Sequence, residues 1–206
     1  MTTTLWVKIC GLSTAEAVSA AVLGGADAVG FVLAPGSPRT VSPEAASALA
    51  ALVPDGVESV GVFRGQTAVE VIASARTAGV QTVQLHGGEA PDVFDAVRSA
   101  GFGVIRATSA ETYGLEAQEH RELYGDARLL LDAPDPGAGE TFDADALTGV
   151  EPPSGWILAG GLRPGNVAAL AEALRPGGVD VSSGVEIARG VKDPELIREF
   201  LAAARA

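Results

Sequence analysis

Short runs rich in Val, Ile and Leu alternate along the chain with Ala-rich segments of helical period, and turn or cap residues separate the two. Eight such cycles are readable, with strands predicted over 5–10, 27–33, 57–63, 80–85, 103–107, 127–132, 155–159 and 179–182. Each run is apolar on both faces, which suits strands covered from two sides in a parallel sheet and not the half-solvated strands of an open antiparallel one. Helices are predicted between them. Ser13-Thr14-Ala15-Glu16 has the spacing of a capping box, and Ser42-Pro43 and Asp193-Pro194 place an N-cap ahead of a proline at the first helical position. Gly24 and Gly79 supply C-terminal stops. The fifth helix, at about 110–122, carries Tyr113-Gly114, and the sixth, at about 143–149, is barely two turns long.

Eight strand–helix units in 206 residues predict an α/β fold, a compact (β/α)8 TIM barrel in a single domain spanning 1–206. An open doubly wound sheet is the alternative. It calls for a Gly-x-Gly-x-x-Gly turn after the first strand, where this chain has Cys10-Gly11-Leu12-Ser13. No linker or low-complexity stretch interrupts the pattern.

A hydrophobic content of 47% supports one sizeable core. The net charge of −12, with 14 scattered basic residues, argues against a nucleic-acid partner, which needs clustered Lys and Arg to neutralise phosphates. A small phosphorylated ligand remains compatible, because backbone N–H groups at a helix start hold phosphate whatever the global charge. No apolar run approaches the roughly 18 residues of a membrane span. A lone cysteine makes no internal disulfide, so a reducing cytoplasm is expected, and the acidic surface and modest size make a monomer the expected state.

In a barrel of this kind the residues just past each strand carry the chemistry. Cys10 ends the first strand, and alternation points Lys8 to the same side. A cation and a helix start beside a thiol are expected to increase its thiolate share, the alternative being a small buried hydrophobe. Asp132 closes the apolar run Leu129-Leu130-Leu131 ahead of a glycine-bearing stretch over 133–139 with the look of a lid; a cap or structural ion pair is the alternative. Gly160-Gly161 and Asp180-Val181-Ser182-Ser183-Gly184 follow the last two strands, where barrels often cradle phosphate. Arg39 has the fork geometry to clamp a carboxylate, against the alternative of an exposed arginine without a specific partner. His86 is expected to be structural or supporting. One cysteine and two histidines without ligand spacing give no metal site.

Taken in order, Val7-Lys8-Ile9-Cys10-Gly11, Pro38-Arg39-Thr40-Val41-Ser42-Pro43-Glu44, Val83-Gln84-Leu85-His86-Gly87, Leu130-Leu131-Asp132, Gly160-Gly161-Leu162 and Asp180-Val181-Ser182-Ser183-Gly184-Val185-Glu186 resemble the phosphoribosylanthranilate isomerase family of tryptophan biosynthesis, over about residues 6–195. The resemblance implies a (β/α)8 barrel and a cofactor-free Amadori rearrangement of N-(5-phosphoribosyl)anthranilate to 1-(2-carboxyphenylamino)-1-deoxyribulose 5-phosphate. It implies Cys10 as general base and Asp132 as general acid. Arg39 would then hold the anthranilate carboxylate and Gly160, Gly161, Ser182, Ser183 and Gly184 the phosphate side, with Asp180 also toward the substrate. Lys8, Gln84 and His86 would orient these groups. The chain departs from the family pattern at Glu140, where a lysine usually precedes Thr-Phe-Asp, and at Ala159, where serine is common before Gly-Gly-Leu.

Two other functions compete. A histidine-pathway aminoaldose isomerase acts on a substrate with two phosphates, and would want a carboxylate at the end of the first strand and a second cradle half a barrel away. Cys10, and the rims Phe63-Arg64-Gly65 and Leu85-His86-Gly87-Gly88, fit that poorly. A non-catalytic phosphosugar-binding barrel would keep the glycine loops but has no need of Cys10 and Asp132 together.

Overall fold

In the computed structural model, which describes residues 5–132, 149 and 151–206, eight parallel strands close into a barrel. They are β1 (Trp6–Cys10), β2 (Ala28–Val32), β3 (Glu58–Phe63), β4 (Thr82–Leu85), β5 (Gly103–Ser109), β6 (Arg128–Asp132), β7 (Ile157–Leu158) and β8 (Gly178–Val181). Closure comes from β1 pairing with both β2 and β8, in a register that sets Lys8 beside Ala28 on one side and Asp180 on the other. Helices α1 (Ala15–Leu23), α2 (Pro43–Ala50), α3 (Ala68–Ala78), α4 (Pro91–Ser99), α5 (Ala110–Leu115), α6 (Gln118–Glu122), α7 (Val167–Leu174) and α8 (Pro194–Ala204) accompany them.

The all-apolar strands follow from having two cores to fill. Val7, Ile9, Phe31, Val83 and Leu131 point outward against helices, in a layer completed by residues such as Phe94 and Phe200. Ala28, Val60, Ile105, Leu130 and Ile157 point inward and plug the barrel floor. Each large aliphatic side chain buried this way is worth about 1.5–3 kcal/mol before ordering costs. Above the plug the inward positions turn polar, with Lys8, Gln84 and Asp180, and Cys10 packs over them with Val32, Ala34 and Val62.

Local signals hold with three corrections. Thr14, not Ser13, caps α1, accepting from the Ala17 N–H at 3.2 Å, so Glu16 falls one position short of closing a box. A full capping box forms instead at α3, between Thr67 and Glu70. The helix expected over 110–122 is two helices, because Glu116 is extended and turns its carboxylate onto Arg106 of β5 while Arg121 satisfies the Tyr113 carbonyl at 2.7 Å. Ser42 and Asp193 cap α2 and α8 ahead of proline, as expected. Beyond β8 lie a 3-10 turn (Ser183–Val185) and an antiparallel ribbon, β9 (Glu186–Ala188) with β10 (Val191–Lys192), that periodicity did not foretell. The sixth helix expected over 143–149 and the stretch over 133–139 fall outside the described residues, apart from residue 149.

Candidate active site

The centre of the site is Lys8. Fully buried, its ammonium donates to Asp180 Oδ2 at 2.9 Å and to Gln84 Oε1 at 3.0 Å, tying β1 to β8 and β4. Burial pulls its pKa down, but Asp180 and Cys10 together hold it above the ordinary value. Asp180 Oδ1 is buried and has no partner among the described residues.

Cys10 stands two residues further along β1, on the same side. Both side chains need the absence of one at Gly30 on β2: a Cβ there would lie 2.9 Å from Cys10 Sγ and 3.1 Å from Lys8 Cε. The expectation of extra thiolate character is overturned. Burial, helped by the Asp180 charge, pushes the Cys10 thiol up and outweighs Lys8 and Lys192.

Asp132 ends β6 with its side chain largely buried, and His86 Nε2 lies 3.4 Å from its Oδ2. Burial, then Lys8 and Arg64, bring the His86 pKa down to about 4, so the imidazole is neutral at neutral pH. Cys10, Asp132, Gln84, Asp180, His86 and Arg39 all border one cavity of about 780 Å³ at the C-terminal mouth of the barrel. The two groups singled out for acid–base chemistry, from strands far apart in sequence, thus share a chamber.

Arg39 sits on the loop after β2 and grips Glu186 with both prongs, Nε to Oε1 at 2.7 Å and Nη2 to Oε2 at 3.0 Å. Burial alone would raise the Glu186 pKa, but Arg39, Lys192 and the Gly190 N–H bring it down to about 2. Sequence reasoning quoted Glu186 only as the end of a motif and missed Lys192 altogether; its one signal is a lysine immediately before the Asp193-Pro194 cap.

The loops after β7 and β8 press together. A Cβ on Gly184 would fall 1.7 Å from the Leu162 carbonyl oxygen, so only glycine permits this approach. Gly160 and Gly161 are both left-handed, and Asn166 braces the turn by donating to the Gly161 carbonyl at 3.0 Å. Ser182 and Ser183 border the cavity, whereas Gly160, Gly161 and Gly184 lie beside them and not in its lining. No described residue accepts from the backbone N–H groups of Gly160, Gly161, Ser183 or Gly184. Among the described residues no group of three or more His, Cys, Asp and Glu side chains could hold a metal ion, and no helix is long and apolar enough to cross a membrane.

Residues 7–203 match the family model for N-(5'-phosphoribosyl)anthranilate isomerase. The chain belongs to the phosphoribosylanthranilate isomerase family. It is 44% identical over 209 residues to the Paracoccus denitrificans member, covering 97% of each chain. The solved Thermus thermophilus phosphoribosylanthranilate isomerase is 40% identical and superposes with a TM-score of 0.82, covering 97% of this chain and 98% of that one. Another solved member, 34% identical with a TM-score of 0.80 over 97% of this chain and 98% of that one, is a complex with reduced 1-(o-carboxyphenylamino)-1-deoxyribulose 5-phosphate. The closed barrel is therefore that of the family, and the chain is an isomerase of tryptophan biosynthesis that performs the Amadori-type rearrangement of phosphoribosylanthranilate. Of the two departures from the family pattern, Ala159 is buried just past β7 and Glu140 lies outside the described residues.

Proposed function

We propose that Asp132 is the general acid and Cys10 the general base of this rearrangement. The Asp132 carboxyl proton passes to the furanose ring oxygen as the C1′–O4′ bond breaks, leaving an iminium at C1′. Cys10, acting through the minor thiolate form that its raised pKa leaves at neutral pH, then removes the C2′ proton, and the electron pair moves into C1′–C2′ to give an enolamine that tautomerises to the ketone. Each transfer is worth on the order of 10²–10⁴ in rate. Arg39 takes the anthranilate carboxylate, the N–H groups of Gly160, Gly161, Ser183 and Gly184 take the phosphate, and the open Asp180 Oδ1 accepts from the sugar or the anilino N–H. Lys8, Gln84 and His86 orient the reacting pair.

The single observation that carries this assignment is the shared cavity of Cys10 and Asp132, which the Arg39 guanidinium also borders, together with the backbone donors of the adjoining glycine loops that no described residue engages. A ligand with a carboxylate pole and a phosphate pole, as in the related complex, matches that layout. The enzyme works in this proposal as a cytoplasmic monomer on a diffusible phosphosugar, without a nucleic-acid partner. The test is the loss of anthranilate-type fluorescence on substrate turnover. Cys10→Ser and Asp132→Asn are each expected to lower kcat by about 100-fold or more while a reduced product analogue still binds. Unchanged kcat in both variants refutes the roles.

A further inference from the structure

Lys192 has no part in the chemistry above and does not itself line the cavity, yet this buried cation bonds two residues that do, Glu186 and Ser182. Its side chain is 2% exposed, and its ammonium donates to Glu186 Oε1 at 2.7 Å, to the Ser182 carbonyl at 2.8 Å and to Ser182 Oγ at 3.2 Å. Those contacts join the Arg39–Glu186 pair to the loop after β8. The strand bearing the base is held there as well. Gly11, which follows Cys10, has a φ of +76°, and a Cβ on it would lie 2.7 Å from Arg39 Cδ, 3.1 Å from Ser182 Oγ and 3.4 Å from Lys192 Nζ.

Charge decides what this cluster does. Arg39 and Glu186 alone form a neutral pair with little attraction left for an anion. Lys192, which shares Glu186 Oε1 with Arg39 Nε, leaves the three groups with one positive charge in excess. Arg39 Nη1 makes no bond to a described residue, so both its N–H groups remain to receive a ligand. We infer that Lys192 is a positioning residue that makes this enzyme selective for a carboxylate on the aryl end of its substrate, by neutralising Glu186 so that Arg39 is free to bind that carboxylate while Ser182 stays fixed on the phosphate side. This rests on Arg39 being the carboxylate clamp. Burial draws the Lys192 pKa below its ordinary value, and Glu186 and Cys10 counter that in part, so the ammonium's charge depends on the same carboxylate it serves.

The experiment compares two ligands that share the deoxyribulose 5-phosphate, the reduced 2-carboxyphenylamino product and its phenylamino analogue without the carboxylate. Titration calorimetry gives the ratio of their dissociation constants for the native enzyme, Lys192→Gln and Lys192→Arg. The native ratio is expected to favour the carboxylate ligand by about 10-fold or more, the scale of one charge-assisted hydrogen bond. In Lys192→Gln it is expected to collapse below about 3-fold, because the carboxylate ligand loses much more affinity than the phenylamino one, whose only loss is the loosened Ser182 on the shared phosphate side, and in Lys192→Arg to return. A ratio preserved in Lys192→Gln, including one preserved because both ligands weaken together, overturns the inference. Lys192→Met serves the same comparison if Lys192→Gln does not fold. A native enzyme indifferent to the carboxylate would refute the Arg39 clamp itself, a result distinguishable from failure at Lys192.

Discussion

Replacing Lys8 by methionine removes the cation that Asp180 is paired with at the barrel's centre and leaves that carboxylate stranded. Lys8 is 0% exposed and Asp180 8%, the ion pair spans 2.9 Å, and the second Asp180 oxygen already lacks a described partner. Breaking a buried pair by deleting one member costs about 3–5 kcal/mol, because the surviving charge stays desolvated and uncompensated. For a domain of this size that is a fall in Tm of roughly 6–20 °C. The mechanism of the loss has its own signature. Removing both charges, in Lys8→Met with Asp180→Leu, is expected to recover at least about 2 kcal/mol relative to Lys8→Met, even though Gln84 loses a donor. Urea unfolding of the native chain, both single variants and the double variant supplies the cycle. A loss below about 1 kcal/mol in Lys8→Met, or a double variant whose loss is the sum of the two singles, refutes the reasoning. Lys8 is also the main influence lowering the Cys10 pKa, so the rising limb of kcat/KM against pH is expected to move to higher pH in whatever Lys8→Met remains folded.

Three further outcomes are expected. Cys10 is buried and its thiol is pushed up, so iodoacetamide is expected to label it slowly at pH 7 and faster as pH rises past 9, with product analogue protecting; labelling faster than free cysteine at pH 7 contradicts this. His86 takes up its proton near pH 4 when folded but near its ordinary value of 6.5 when unfolded, so the unfolded chain binds more protons between those limits. Stability is then complete above about pH 6.5 and falls by up to about 3 kcal/mol on acidification to pH 4, and an NMR titration of the imidazole with a midpoint above 6 would contradict it. Gly184→Ala sets a methyl against the Leu162 carbonyl and forces the two glycine loops apart; it is expected to cost about 1–3 kcal/mol and to raise KM more than it lowers kcat, and parity with the native chain on both counts speaks against the cradle.

The barrel was legible because its strands are short, doubly buried and separated by unambiguous caps. Thr67-x-x-Glu70 and Ser42-Pro43 act locally, and local signals survive in sequence. What tertiary contact decided was not legible. The break at Glu116 exists because Arg106, ten residues earlier on a neighbouring strand, draws its carboxylate inward. The Cys10 pKa ran opposite to expectation because burial, which no single residue announces, outweighs the adjacent Lys8. At the site, positions at strand ends stood out, whereas Glu186 and Lys192 lie on a ribbon with no periodicity and gain their importance only when the fold brings them against Arg39. His86 was read as structural or supporting, and the fold brings its Nε2 to 3.4 Å from Asp132 Oδ2, a contact no local pattern announces.

The most direct measurement is a crystal structure of this enzyme with reduced 1-(2-carboxyphenylamino)-1-deoxyribulose 5-phosphate bound. Our mechanism expects Cys10 Sγ within contact distance of C2′, the Asp132 carboxyl within hydrogen-bonding reach of the former ring oxygen, the phosphate on the Gly161 and Gly184 loops and the aryl carboxylate on Arg39. A ligand whose C2′ lies out of reach of the sulfur, or whose phosphate sits away from those loops, contradicts it.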